Sequence, residues 1–295
     1  MDDRINVCYC VNRKVLAPLC VSAFSAAASV DGEEITIWIF HEDLTSQDIR
    51  RVQSVFTPFS DVILNTRRIE TGDLSSLHGL HGETIPLAKV LIPRHVDGQL
   101  DRIVYLDADT VVIGGLEDLY RHNLKGNVIG AVSYETLGES YTRDFFRSKG
   151  LDLQEKAFNS GVLLIDVAAW NEKGWTRKVV DFLRANSKKY DGADQASLNV
   201  VFYKRFLPLR IRYNKRAGPG TRLEKKYTTD GILHFVGIPK PWDIGGQWFN
   251  KNYHLYEKYR RQAGVPGRST LDLISDTGWR RTSKGLLAGV RAALR

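Results

Sequence analysis

The sequence contains few of the residues that build disulfide frameworks or zinc sites. Its three cysteines, Cys8, Cys10 and Cys20, lie near the start in or beside apolar runs, with no CxxC pair and no histidine nearby. A zinc site is therefore not expected. Buried, reduced thiols are the better interpretation, and they are typical of a reducing compartment.

Long hydrophobic runs are also missing. No apolar stretch approaches the roughly 18 residues that a membrane-spanning helix needs. Residues 13–29 have the basic start, apolar middle and small residues of a signal peptide, but the strand-like run INVCYCV precedes them. We therefore expect a first helix packed on a sheet. A basic stretch interleaved with aromatic residues is absent, so nucleic acid is not an expected partner.

Positive charge is in excess and unevenly distributed. The chain has 42 Lys and Arg against 34 Asp and Glu, a net charge of +8. From Trp279 to Arg295 it carries five basic residues and no acid. Such a tail suits an anionic surface, which could be membrane lipid, lipopolysaccharide or nucleic acid. On membrane lipid its apolar residues would be buried and its arginines would meet the headgroups. A solvated terminal helix is the alternative interpretation.

Short apolar runs alternate with helical stretches along most of the chain. Strands are predicted over 5–11, 34–40, 61–65, 102–106, 127–133, 159–167, 206–214 and 231–237, and helices over 15–30, 45–56, 178–186 and 194–203. This alternation predicts an α/β, Rossmann-like fold with a mostly parallel central sheet. Residues 214–230 are predicted to form a mobile loop. The strand signal stops near residue 250, so we expect a main domain over 1–250 and a helical, basic extension over 251–295.

Two aspartates follow the predicted buried strand RIVYL. Asp107 and Asp109, separated by Ala108, are at positions i and i+2. In an extended segment such residues project from one face, so both carboxylates can converge on one cation. Ligands bind at the carboxyl ends of strands in open α/β sheets, and two hard oxygen ligands suit Mg²⁺, Mn²⁺ or Ca²⁺. Taken alone, the motif fits a strand-end turn with capping aspartates equally well.

The segment LHFVGIPKPW, residues 233–242, favours the metal interpretation. His234 beside two carboxylates would favour Mn²⁺ over Mg²⁺. Gly237 would let the backbone approach a ligand, and Lys240 could place a point charge on a phosphate. A core histidine and a solvated lysine are the ordinary alternatives, but the combination predicts a metal–diphosphate site.

Two more polar segments are candidates. Asn159 and Ser160 lie at the start of the predicted strand 159–167, and an ordinary turn is the alternative. Asp191 and Asp194 flank a Gly–Ala turn, and Gln195 opens a predicted helix. N-capping by either aspartate is the alternative there.

Four motifs occur in order: YLDADTVVIGGLEDLY, FNSGVLLIDVAAWN, DGADQASLNVVF and HFVGIPKPW. Together they resemble glycosyltransferase family 8, which includes glycogenin and bacterial lipopolysaccharide galactosyl- and glucosyltransferases. The resemblance covers roughly residues 5–245 of the sequence. It implies a GT-A fold and transfer of a sugar from a UDP-sugar with retention of configuration.

The resemblance also implies roles for the candidate residues. Asp107, Asp109 and His234 would hold Mn²⁺ against the diphosphate, with Mg²⁺ as the alternative ion. Gly237 and Lys240 would contact the phosphates. The remaining residues would surround the donor, with Cys10, Val11 and Asn12 at uracil, Lys89 in place of a family arginine, Ala108, Asn159 and Ser160 along the nucleotide sugar, and Asp191, Asp194 and Gln195 near the anomeric carbon.

Three positions depart from the family pattern. Val15 stands where a tyrosine usually stacks on uracil, and Lys89 replaces the arginine. An acid expected near residue 134 is displaced by one position, to Glu135. These departures concern the nucleobase and the sugar rather than the fold.

The sequence thus predicts a Mn²⁺-dependent, retaining hexosyltransferase that uses UDP-glucose or UDP-galactose. A surface glycan or lipopolysaccharide is the expected acceptor, and the expected location is cytoplasmic, with the basic tail at the inner membrane face. One alternative is a glycogenin-like protein that glucosylates its own tyrosine, for which Tyr141, Tyr190 and Tyr227 are available. The other is a basic binding module without catalysis.

Overall fold

The computed structural model describes residues 4–30, 32–70, 72, 74, 84–186, 193–243 and 245–267. The strands are β1 (Ile5–Val11), β2 (Ile35–His41), β3 (Val62–Arg68), β4 (Arg102–Leu106), β5 (Thr110–Val112), β6 (Ile129–Thr136), β7 (Lys156–Asp166), β8 (Leu207–Pro208), β9 (Lys215–Arg216) and β10 (Ile232–His234). The α-helices are α1 (Leu16–Ala28), α2 (Ser46–Ser54), α3 (Ile92–His95), α4 (Leu116–Tyr120), α5 (Arg143–Ser148), α6 (Val167–Glu172), α7 (Trp175–Asn186), α8 (Ala193–Val201), α9 (Gly246–Phe249) and α10 (Tyr253–Gln262). Short 3₁₀ helices cover Arg13–Val15, Ile85–Leu91, Ile211–Asn214 and Lys225–Tyr227.

The described residues form two sheets. The larger has the strand order β3-β2-β1-β4-β7-β6-β8, and the smaller has the order β5-β10-β9. In the larger sheet β3, β2, β1 and β4 are mutually parallel and β6 is parallel to β8, whereas β7 is antiparallel to β4 and β6. The predicted α/β fold with a mostly parallel central sheet is therefore confirmed.

Side chains of β1 alternate between two apolar cores on opposite faces of the large sheet. Val7, Tyr9 and Val11 join the core that contains α1, while Cys8 and Cys10 join the other. This alternation follows from the two-residue period of a strand, and burial on both faces explains the continuous apolar run. All three cysteines are buried and free, as predicted, and burial raises the pKa of each thiol. They therefore stay protonated and serve as packing groups.

Four predicted segments differ from the structure. The predicted strand 206–214 is reduced to β8, a two-residue edge strand ending at Pro208, which cannot donate to a ladder. The predicted strand 231–237 ends at His234, and Gly237 then turns the chain at φ +76°. Asn159 lies inside β7 rather than at its start, because pairing with β6 already begins at Lys156. The predicted loop 214–230 contains β9 and a 3₁₀ helix.

The described part of the predicted extension packs on the main core. Tyr256 and Tyr259 of α10 belong to the same apolar core as α1. Glu257 holds this helix through hydrogen bonds from Arg260 and Arg261, and the Arg260 guanidinium lowers the pKa of Glu257 to about 2. The basic tail from Trp279 lies outside the described residues, so the division at residue 250 stays a prediction.

Across the described ranges, none of the helices combines the length and the hydrophobicity that crossing a bilayer requires.

Candidate metal and donor site

Asp107 and Asp109 lie in the turn that joins β4 to β5. The Asp107 N–H donates to the carbonyl of Gly161 in β7 (2.8 Å), and the Thr110 N–H closes the turn on the Asp107 carbonyl (3.2 Å). The Phe235 N–H donates to the Asp109 carbonyl (2.9 Å). The aspartate pair is thus held by backbone bonds to the large sheet and to the segment after β10.

Strand pairing brings His234 to the two aspartates. β10 is antiparallel to β5, with His234 opposite Thr110. The His234 Nε2 lies 3.1 Å from Asp109 Oδ1 and 4.0 Å from Asp107 Oδ2. One ligand atom from each of the three residues lies within 4.8 Å of the others, so the cluster has the dimensions of a metal site.

A chain of side-chain amides sets the orientation of the imidazole. The Gly161 N–H donates to Asn159 Oδ1 (3.0 Å), and the same oxygen accepts from Asn214 Nδ2 (2.8 Å). The Asn214 Oδ1 therefore faces His234 Nδ1 (3.1 Å), and because an amide oxygen only accepts, the proton is on Nδ1. In the neutral imidazole, Nε2 then has its lone pair toward Asp109, as a metal ligand requires. Such second-shell support is typical of metal-bound histidines.

The arrangement fits a divalent cation. Asp109 Oδ1 is buried and has no hydrogen-bond partner within the described part of the chain. It faces the lone pair of His234 Nε2 at 3.1 Å, an arrangement that is repulsive unless positive charge lies between them. One imidazole nitrogen with carboxylate oxygens suits Mn²⁺ better than Mg²⁺.

Lys240 supplies a positive charge at the rim of this cluster. Its Nζ lies 2.6 Å from Asp109 Oδ2 and also donates to the Phe235 carbonyl. Burial opposes the charge on Asp109, but the Lys240 ammonium favours it, and the pKa of this carboxyl lies far below its usual value. Asp109 is therefore ionised throughout the physiological range.

Lys89 lies beneath the cluster and is almost completely buried. Its Nζ lies 3.2 Å from Asp107 Oδ1 and 3.1 Å from Asp194 Oδ2, and it donates to the Ser160 carbonyl (3.3 Å). Burial disfavours its charge, but Asp107 and Asp194 outweigh burial and raise the lysine pKa. Lys89 thus ties the metal candidate Asp107 to the catalytic candidate Asp194.

The structure also brings Gln195 and Ser160 to this region. Gln195 Oε1 accepts from Asn159 Nδ2 (2.9 Å), and the Ser160 hydroxyl donates to Asp194 Oδ2 (3.2 Å). The Ser160 side chain is buried and faces Asp194. Asp191 lies outside the described residues.

The predicted nucleobase residues lie at the carboxyl end of β1. Cys8 pairs with Tyr105 of β4, so the parallel register puts Cys10 level with Asp107. Cys10, Val11 and Asn12 are all buried, and Asn12 caps the following 3₁₀ helix through Lys14 N (3.2 Å). Their contact with uracil stays a prediction, as does the phosphate contact of Gly237.

Sequence reasoning missed three residues of this site. The Tyr105 hydroxyl donates to Asp107 Oδ1 (2.6 Å), and Asn214 orients His234. Gly161 has no side chain and so leaves room for the candidate metal ligands Asp107 and His234. A Cβ on Gly161 would lie 2.8 Å from Asp107 Oδ2 and closer still to the His234 ring. Gly161 lies in the motif FNSGVLLIDVAAWN directly after Asn159 and Ser160, so the sequence offered a sign of its role. No motif near Asn214 indicates that it would contact His234.

The chain is similar in sequence to known glycosyltransferases. The chain is 27% identical over 227 residues to glycosyltransferase GlyA of Streptococcus pneumoniae serotype 4, covering 75% of this chain and 30% of GlyA. It is 22% identical to lipopolysaccharide 1,3-galactosyltransferase of Salmonella typhimurium, covering 87% of this chain and 78% of that protein. The chain therefore spans less than a third of GlyA but most of the Salmonella enzyme.

A solved structure shows the same fold. Galactosyltransferase LgtC in complex with donor and acceptor sugar analogs superposes with a TM-score of 0.67 at 18% identity, covering 91% of this chain and 99% of LgtC. The model of glycosyl transferase family 8 matches residues 6–244, a range that contains every residue of the metal cluster. This protein belongs to glycosyltransferase family 8.

Proposed function

We propose that this protein is a retaining hexosyltransferase that moves glucose or galactose from a UDP-sugar to a glycan or lipopolysaccharide acceptor. The observation that carries the proposal is the cluster of Asp107, Asp109 and His234, with its unpartnered carboxylate oxygen and oriented imidazole. Relatives that are lipopolysaccharide galactosyl- and glucosyltransferases support the choice of hexose and acceptor.

Asp107, Asp109 and His234 would hold Mn²⁺. Bound there, the cation would supply positive charge to the departing diphosphate. Lys240 would add a second charge, since its ammonium lies 2.6 Å from Asp109 at the edge of the cluster. Together these groups favour loss of UDP, which is the leaving group of the reaction.

The surroundings of Asp194 favour attack on the side from which UDP departs. A covalent route to retention needs a free nucleophile on the far face of the sugar. The Asp194 carboxylate is engaged by Lys89 and by the Ser160 hydroxyl, and the Gln195 amide is a poor nucleophile. We therefore assign Asp194 and Gln195 to charge stabilisation at the anomeric centre rather than to covalent catalysis.

Release of UDP from a panel of UDP-sugars tests the proposed function. With Mn²⁺ present we expect UDP release from UDP-glucose or UDP-galactose. Both donors share the diphosphate whose negative charge the bound cation and Lys240 would stabilise. Chelation with EDTA should abolish it, and Mg²⁺ should restore it less well than Mn²⁺. Absence of UDP release from every donor, with Mn²⁺ and with glycan acceptors added, would contradict the proposal.

The basic tail is proposed to place the protein at the inner membrane face. Sequence alone supports this, through the five basic residues and the apolar Trp279, Leu286, Leu287 and Val290. A chain lacking residues 279–295 should move from the membrane to the soluble fraction on cell fractionation while it still releases UDP. Membrane partition equal to that of the full chain would defeat this assignment.

A further inference from the structure

A basic cleft lies beside the loop after β9 and the start of α10. It has a volume of about 910 Å³, and Arg222, Lys225, Lys251 and His254 line it together with a single acid, Glu224. Glu224 is already paired with Lys226, at 2.8 Å. Within the described part of the chain, no ion pair neutralises Arg222, Lys225 or Lys251. The cleft therefore carries uncompensated positive charge.

Helix α10 adds to this charge. Tyr253 begins the ten-residue helix, and its N-terminal end lies at the cleft wall next to Lys251 and His254. The N-terminus of a helix carries a partial positive charge that favours an anion, and here the dipole alone contributes, because the Tyr253 and Leu255 N–H groups already donate to the Asn250 and Asn252 carbonyls. A concave site with arginine, lysine and a helix N-terminus is matched to a phosphate group more than to a neutral sugar.

Hydrogen bonds from one buried side chain join the two segments that form the floor of the cleft. Asn252 is buried, and its Nδ2 donates to the Thr221 carbonyl (2.8 Å) while its Oδ1 accepts from the Leu223 N–H (3.4 Å). These bonds join the strand-connecting loop to the start of α10. The backbones that carry the basic side chains of the two segments are therefore joined to each other.

The same loop connects the cleft to the metal cluster. The Ala217 N–H donates to the His234 carbonyl (2.8 Å), and the Asn250 side chain donates to the Ala217 carbonyl (3.1 Å). Leu223 lies six positions after Ala217, and such a stretch spans at most about 22 Å. The cleft therefore lies within roughly that distance of the segment bonded to His234, a span that an oligosaccharide of several sugars can cover.

We infer that the cleft binds a phosphate group carried by the acceptor glycan, so that the acceptor class is a phosphorylated saccharide. This inference rests on the proposed function, because it names the acceptor of that transfer. A concave cleft within an oligosaccharide's reach of the metal cluster favours a phosphate on a glycan over a flat layer of lipid headgroups.

The test compares wild type with the double variant Arg222→Gln/Lys251→Gln. Inorganic phosphate and glucose 6-phosphate are titrated by calorimetry in EDTA, with glucose as the uncharged probe. We expect both phosphates to bind the double variant at least about tenfold more weakly, because two charge-assisted hydrogen bonds are lost. Glucose should bind neither protein. Melting temperatures of the two proteins confirm that both are folded.

Arg205→Gln is the control, because it removes one positive charge from an exposed side chain outside the cleft lining and leaves the Glu224–Lys226 pair intact. It should leave phosphate affinity unchanged. Equal affinity in wild type and double variant overturns the inference, as does an equal loss in the control. Vesicles of phosphatidylglycerol form the second arm: if the double variant loses vesicle binding but keeps phosphate affinity, the cleft serves lipid and the inference is wrong. UDP release by wild type is measured separately, so failure of the proposed function is distinguishable.

Discussion

The Asp109→Asn variant is expected to release UDP from its donor on the order of a hundredfold more slowly than wild type with Mn²⁺ present. A bound cation stabilises the departing charge by several kcal/mol, and about 1.4 kcal/mol corresponds to a tenfold change in rate. Asparagine keeps the shape of the side chain but removes the charge that faces both His234 and Lys240. The rate is measured as UDP release under saturating donor.

A readout besides activity separates loss of the metal from loss of the fold. Mn²⁺ should raise the melting temperature of wild type, because a ligand bound only to the native state stabilises it, and should not raise that of the variant. Asp181→Asn serves as the control, since this exposed aspartate on α7 has its partners on the same helix. A variant that binds Mn²⁺ and turns over donor like wild type would refute the metal assignment.

The Gly161→Ala variant is expected to lose metal affinity and roughly a hundredfold in turnover, although it changes no ligand. The added methyl group would lie 2.8 Å from Asp107 Oδ2 and overlap the His234 ring, so one of the two must move. A displacement of about 1 Å at a reacting centre can cost about a hundredfold in rate. Overpacking of this kind also costs about 1–3 kcal/mol of stability.

Mn²⁺ affinity from electron paramagnetic resonance and UDP release measure the two effects. Gly267→Ala is the matched control, because its added methyl group meets only Arg260 at ordinary distances of 3.6 Å or more. The backbone of Gly161 lies outside the left-handed region, so the expected loss comes from the side-chain overlap and not from strain. Unchanged Mn²⁺ affinity in Gly161→Ala would show that the site tolerates the methyl group.

Much of the central sheet could be predicted because its strands are local apolar runs. The strand RIVYL has the predicted bounds, and β1 and β2 agree with their predictions to within one residue. The predictions failed where local pattern competes with tertiary context, as in 206–214, which mixes apolar residues with Pro208, Arg210 and Arg212. β5 and β9 are too short to leave a periodic signal, so sequence analysis did not find them.

The aspartate pair shows how far local reasoning reaches. The two-residue spacing of Asp107 and Asp109 predicts a shared face if the backbone is extended, whereas in the structure a turn closed by the Thr110 N–H on the Asp107 carbonyl brings them together. What their partner is depends on contacts across the chain. Lys89 forms ion pairs with both Asp107 and Asp194, and Lys240 forms one with Asp109. Each of these ion pairs joins residues from separate elements.

The sequence by itself determined the α/β class, the buried cysteines and the family motifs, and through those motifs it named His234 as the third candidate ligand. Only the tertiary structure decided which contacts bring His234 to the aspartates, because pairing of β10 with β5 sets it opposite Thr110. The tautomer of that histidine likewise depends on Asn214 and Asn159, which meet only in the folded chain. The spacing of residues along a strand determines which face of the sheet each side chain lies on. Which distant side chains come into contact depends on how the long loops between the elements close.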